Sequence, residues 1–483
     1  MRYLYKILFF VVFSASWITG CAAAGESDAI QDLTEDSESI QQELEIEPEG
    51  SQQSNESEEV DEVEVQEEAP TENQEKDDEK DSEAVENKDE VDTDPVSVNE
   101  VWSVKFGGNQ DDTIQNAIPT EDGGFYLLGT TNKSWEPIRK GDLNLIKMNA
   151  DGEVDWEKFF PGEPWISGEA LIITEDGNLL IGGIVQTEDT QSIDVFLKKV
   201  NSQGEEIWMK TFQGEMDEWI NSIELASDGG YILMGNIVDP EDFITDPGAA
   251  GYGGFSHRSN FYMMKTNELG EVEWSKHFES EENIVASGGM ATSDGEFVLL
   301  GTILYYPDPL TNQIAMKIDE DGQETWTHIW EDGGTSVRGF SISGDDHIVV
   351  SGSYSLSADP RQGDADIIVT KLELDGTVVW EEHFGEPDQV DLVGAMTTMS
   401  DGTFMLVVDR SEDLYQHGSD LFLLKVDADG KQLWEAKVGY EPHFMVSNVI
   451  VQEDVAYIAY SMVRYNDFDF YLNKIEFQEL LSK

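Results

Sequence analysis

The chain has 483 residues, with 101 Asp and Glu against 28 Lys and Arg, a formal net charge of -73 and one cysteine. A polyanion of this kind is repelled by nucleic acid and by bare anionic membrane. A lone cysteine leaves no disulfide framework and no thiolate metal cluster.

The first element is a short apolar run. Arg2 and Lys6 precede an apolar stretch from Ile7 to Trp17, which ends at Ile18-Thr19-Gly20-Cys21. The run is too short for a comfortable transmembrane helix and has the layout of a secretory leader. Its end resembles the lipobox of bacterial lipoprotein signal peptides. That resemblance implies cleavage after residue 20, lipid attachment at Cys21 and a place in the cell envelope, anchored to a membrane on its extracytoplasmic side. Residues 21 to 96 follow as an acidic stretch without aromatic residues after Cys21. Such a composition cannot bury enough apolar surface to offset its ordering entropy, and it reads as a tether.

From residue 97 to about 477 the chain repeats itself. A Gly, three residues and then Trp occurs at Trp156, Trp208, Trp274, Trp326, Trp380 and Trp434, spaced 52, 54 or 66 residues apart. Ahead of each stands an Asp or Asn with a lysine five residues later, the lysines being Lys147, Lys199, Lys265, Lys317, Lys371 and Lys425; Asp469 and Lys474 repeat the pair without a following Trp. Each unit reads as four short strands. The first is "TIQNAIPT", "FYLLGTT", "LNLIKMN" and "EVDWEKFF", with Asp-Gly turns that need positive φ between apolar runs. Helical periodicity is missing. The last unit lacks a fourth strand, and an extra Trp102 in "VWSVKFGG" precedes the first. The expected fold is therefore an all-β, seven-bladed β-propeller of four-stranded blades, in which the strand around Trp102 completes the last blade. Residues 478 to 483 remain as a tail.

One tryptophan per unit points to architecture. Trp and the residue four later, for example Phe160 or Phe212, share one strand face and fill the space between blades. The repeated Asp is expected to bond loop amides, and the repeated Lys to pair with a nearby carboxylate. The Gly-x-x-x-Trp unit resembles the tryptophan-docking repeat of quinoprotein propellers, a group that includes quinone-dependent dehydrogenases and a lipoprotein of outer-membrane barrel assembly. The enzymes have eight units and adjacent cysteines at their cofactor, so no quinone or calcium ligand carries over to this chain. The turns at 319–322 and 427–430 lack the later glutamate of a calcium loop and read as hairpins. No nucleophile elbow, metal-binding His pair or phosphate loop is present.

These readings lead to a non-catalytic binding or scaffolding protein, monomeric and without cofactor or metal. The expected binding face carries the longer loops, above all residues 238 to 260. Its candidate contacts are Trp135, Trp165, Trp219, Tyr252, Phe255, His257, Arg258, Tyr305 and Tyr306, for an envelope protein or glycan. The alternative is a glycan or small-ligand binder, sensor or enzyme that uses the central channel.

Overall fold

The computed structural model describes residues 96–107, 111–134, 140–162, 164–187, 192–243, 257–305, 311–330, 335–355, 365–387, 389–411, 419–441, 444–464 and 467–479. Twenty-eight β-strands account for their regular structure. The leader, Cys21 and the acidic stretch lie outside the described residues.

Strand β1 (Val96–Phe106) comes first and pairs last. The next four are β2 (Asp111–Pro119), β3 (Phe125–Ser134), β4 (Lys140–Met148) and β5 (Val154–Phe160), followed by β6 (Pro164–Ile173), β7 (Leu179–Thr187), β8 (Asp194–Val200) and β9 (Glu206–Phe212). Then come β10 (Asp217–Leu225), β11 (Tyr231–Phe243), β12 (His257–Thr266) and β13 (Val272–Phe278), and β14 (Asn283–Ala291), β15 (Phe297–Leu304), β16 (Thr311–Ile318) and β17 (Glu324–Ile329). The second half continues with β18 (Thr335–Ile342), β19 (Ile348–Ser355), β20 (Ala365–Leu372) and β21 (Val378–Phe384), then β22 (Val390–Thr398), β23 (Phe404–Ser411), β24 (Ser419–Val426) and β25 (Gln432–Glu441). The last three are β26 (Phe444–Gln452), β27 (Val455–Arg464) and β28 (Asp467–Glu479).

Each group of four forms an antiparallel meander, and β26, β27 and β28 take β1 as their fourth strand, antiparallel to β28. Single parallel bridges, Gly141 opposite Trp165 and Ala365 opposite Val390, join β2–β9 and β18–β25 into eight-stranded sheets. The architecture is thus all-β and repetitive, of the propeller kind.

Strands such as β8 and β16 are buried almost throughout, as expected for strands with a sheet on either face. The cores lie between consecutive groups. Leu128, Leu143, Leu179 and Phe196 join the first two; Met234, Phe261, Leu299 and Ile314 join β10–β13 to β14–β17. Phe106, Phe125, Tyr457 and Phe470 join the last group to the first. Each fully buried Leu or Phe is worth about 1.5–3 kcal/mol.

The Gly-x-x-x-Trp spacing works between groups. Gly376 turns from β20 to β21 at φ +84° and lies flat on the indole of Trp326 in the preceding group, where an added Cβ would come within 3.0 Å of the ring. Gly152 on Trp102, Gly204 on Trp156, Gly270 on Trp208, Gly322 on Trp274 and Gly430 on Trp380 repeat the contact. Trp434 has no such turn after it. It is capped by Phe477, Val96 and Val98 instead, and is 2% exposed.

Candidate functional site

Residue types that recur in every group turn out to hold the fold. Lys147, Lys199, Lys265, Lys317, Lys371 and Lys425 each pair with the turn aspartate between the first and second strands of the same group: Asp122, Asp176, Asp228, Asp294, Asp345 and Asp401, at 2.5–3.4 Å. Hydrogen bonds from Thr120, and then from Lys147, draw the Asp122 carboxyl down to about 2. Lys371, followed by Ser343, does the same for Asp345, also to about 2. The expected role of the strand-entering Asp or Asn also appears: Gly162 N donates to Asp142, Gly214 N to Asp194 and Ser280 N to Asn260.

Buried charge beyond these pairs marks the candidate site. Two such places lie at the sheet end where the first strand of each group begins and the second ends. One joins β6–β9 to β10–β13. Residues 192–194 are zipped onto 217–218: Ile193 N donates to Asp217 Oδ1 at 2.7 Å, and Glu218 N donates to Ile193 O at 3.0 Å. Asp194 is fully buried, and its Oδ1 accepts from Ser192 Oγ at 3.0 Å and from Gly214 N at 3.4 Å. The Glu218 carboxylate abuts the same Gly214, so close that an added Cβ would fall 2.3 Å from Oε1. Burial, and then the charges of Asp194 and Asp217, push Glu218 up to about 8. Beside these acids Trp165, Trp219, Ile184, Ile193 and Val238 form an apolar cluster.

The other place is in β22–β25. Arg410 donates from Nε to Asp391 at 2.5 Å and from Nη1 to Glu435 at 2.6 Å, with its guanidinium 4.5 Å from the centre of the Phe422 ring. Asp391 is completely buried and also accepts from Glu386 N at 2.9 Å. Its carboxyl is raised all the same, because desolvation outweighs these bonds. Burial, with Asp391 and Asp420 nearby, lifts Asp409 to about 7. The position of Arg410 is taken by Val185, Ile237, Ile303, Tyr354 and Met462 in other groups. Among the described residues no three His, Cys, Asp or Glu side chains converge as a metal cage.

The residues expected on the binding face divide. Trp165 and Trp219 are 4% and 3% exposed, so their rings are core and not a surface offered to a partner; consecutive first strands bring them together over Ile193. Tyr305 is half-buried on the core between β10–β13 and β14–β17, its hydroxyl 3.2 Å from the Asn312 amide. Arg258 is half-buried on β12, and His257 opens that strand opposite Phe243. Trp135, Tyr252, Phe255, Tyr306 and Cys21 lie outside the described residues. The 238–260 segment is also less of a loop than its sequence implied: β11 runs to Phe243 and β12 starts at His257. Asp391, Arg410 and Glu218 were not anticipated. The signal was an acid three residues ahead of the first-strand bulge in three groups, Asp112, Glu218 and Asp391, where Ile166, Ile284 and Phe444 stand in others.

One further feature repeats in place but not in residue type. The first strand of every group carries a bulge, whose extra residue is Gln115, Glu169, Asn221, Ser287, Arg338, Gly394 or Ser447. Ser287 Oγ donates to Val337 O at 3.0 Å and Ser447 Oγ to Ile114 O at 2.7 Å, each in the next first strand.

No family model matches the chain, and no curated protein matches its sequence. Solved structures do resemble it. An ulvan lyase of polysaccharide lyase family PL25 is 9% identical over 76% of this chain and 97% of its own, with TM-score 0.47. The β-propeller domain of the Trilobed protease from Pyrococcus furiosus is 11% identical over 73% and 90%, with TM-score 0.42. A puromycin hydrolase is 12% identical over 74% of this chain, with TM-score 0.42, and the match spans about half of that enzyme (51%).

Proposed function

We propose that this chain is a lipid-anchored, non-catalytic binding protein of the cell envelope. In this reading it is a seven-bladed propeller closed by β1, held off the membrane by its acidic tether, and it meets a protein partner with the sheet end that carries the longer connections. The observation that carries the proposal is the placing of chemistry. The Gly–Trp contacts and the Lys–Asp turn pairs are consumed in holding the fold, whereas buried charge beyond those pairs, Glu218 beside Asp194 at one joint and Asp391 with Arg410 at another, gathers at one sheet end. The longest connection between paired strands, 244–256, leaves β11 at that same end. Support for seven blades comes from the seven meanders and from the core shared by the first and last.

The test is crosslinking in cells followed by mass spectrometry. The intact protein is compared with a variant in which residues 244–256 are replaced by a short Gly-Ser link, leaving β11 and β12 in place. Crosslinks from one partner to the loop-bearing end, lost in the variant, are the expected result. Capture that is equal in both, or absent from both, removes the protein-partner reading. The first-strand bulges favour a second reading, a glycan or small-ligand site on the axis. Oligosaccharide binding that is abolished by Gln115→Ala and Arg338→Ala, but not by the loop replacement, would select it.

A further inference from the structure

The joint between β6–β9 and β10–β13 holds a charge arrangement that the protein's own atoms leave incomplete. Asp194 is 0% exposed, yet its Oδ2 has no hydrogen-bond donor. Glu218 Oε2 is likewise buried without a donor. The two side chains come from different groups, one on β8 and one on β10, and both carboxylates converge on Gly214. Among the described residues no ion pair reaches either of them. A buried carboxylate with one oxygen left without a donor is costly, and two such groups side by side repel each other as well.

We propose that Asp194 and Glu218 together hold one hard divalent cation of the calcium type at this joint. Two carboxylates balance a charge of +2, and a donor set made only of oxygen selects a hard ion over zinc or copper. Backbone carbonyls and water would complete a coordination shell that two side chains cannot fill alone. The bound ion would keep Glu218 ionised, so protons and cation compete for the pair. It would also tie two consecutive groups together where Trp165 and Trp219 meet, at the end assigned above to partner binding. This inference does not rest on that assignment.

The indoles supply the assay. Terbium(III) substitutes for calcium, and light absorbed by Trp219 and Trp165 sensitises its emission only when the ion is close. The acidic stretch 22–95 contains no aromatic residue of its own, and the two variants below separate ions gathered there from an ion at the joint. With the full chain, tryptophan-excited terbium emission should saturate, fall when calcium is added, and vanish in Asp194→Asn and in Glu218→Gln. Absence of sensitised emission from the wild type, or its survival in either variant, overturns the site. Titration calorimetry of the unmutated protein gives a check that does not depend on how the variants fold. Calcium uptake at pH 7 should release protons, seen as heats that differ between buffers of unlike ionisation enthalpy. No uptake means that a shared proton and not a metal neutralises the pair, and uptake without proton release means that calcium is held elsewhere, on carboxylates already ionised; either result overturns the site.

Discussion

Lys317 Nζ donates to the main-chain carbonyl of Leu374, 3.0 Å away in the next group of strands. The same oxygen accepts from Trp326 Nε1 at 3.0 Å, and Lys317 also pairs with Asp294 and Glu296 of its own group at 2.5 and 3.0 Å. Lys371 and Trp380 repeat the clasp on Ala428 O at 3.3 and 3.0 Å. The Tyr126 and Tyr231 hydroxyls reach the equivalent carbonyls of Ser202 and Glu268 at 3.3 and 3.4 Å.

Cutting this clasp should weaken the whole fold. Lys317→Met leaves Asp294 and Glu296 without their cation and removes a bond between groups, at an expected cost of about 2 kcal/mol. Trp326→Phe keeps most of the ring and loses one bond, about 1 kcal/mol. Urea denaturation of the two single variants and the double variant measures both. Because they share one acceptor, the double should cost less than the sum.

Glycine geometry gives a pair of opposite effects. Gly376→Ala puts a methyl group on the Trp326 indole at φ +84° and should cost about 1–3 kcal/mol. Asp346 sits at φ 67° in a turn where Gly123, Gly177, Gly229, Gly295 and Gly402 occupy the matching position. Asp346→Gly relieves that strain and should stabilise by up to about 1 kcal/mol, less the bond from Ser293 to Asp346. Thermal midpoints moving the same way in both variants would refute this account.

Acid should undo the turn pairs. Asp122 and Asp345 have folded-state values of about 2 against an ordinary 3.8. Their contribution is complete above about pH 4 and disappears as the pH falls through about 2. Asp345→Asn should flatten that arm of a stability–pH curve measured by denaturant titration.

Alkali acts on a different set. Glu218 is raised to about 8, Glu224 to about 7 and Asp409 to about 7, in each case chiefly by burial. The native state retains protons that the unfolded chain has already released, so stability should decline as pH climbs from about 4.5 to about 8. In metal-free buffer Glu218→Gln should remove part of that slope and leave the acid arm intact. A slope unchanged by the substitution would show that Glu218 is ionised throughout.

The fold was legible because its devices are local and repeated. Gly then Trp, Asp then Lys, and Asp-Gly turns each recur at fixed spacing, so seven weak signals add. Even the use of β1 as a late partner could be read from Trp102 and the missing fourth strand after Lys474. The site was not legible for the opposite reason. Asp194 and Glu218 meet only because residues 192–194 and 217–218 zip together across a joint, and a contact between groups is not written in local residue patterns. Trp165 and Trp219 misled because a tryptophan beside acidic loop residues has the composition of a binding surface, while Ile184, Ile193 and Val238 complete a core around it.

The pairing of β1 with β28 also fixes how the protein carries load. Whatever pulls on the residues before Val96 pulls on an outer strand, with Val96 opposite Glu479 and Phe106 opposite Phe470. Tension along the strand strains the whole ladder together, and tension across it peels the pairs one by one, starting at Val96. The first residues to lift in a peel, Val96 and Val98, are the ones that cover Trp434. That indole is therefore a built-in strain gauge: its emission should shift to the red when the strand unseats, before the rest of the molecule gives way.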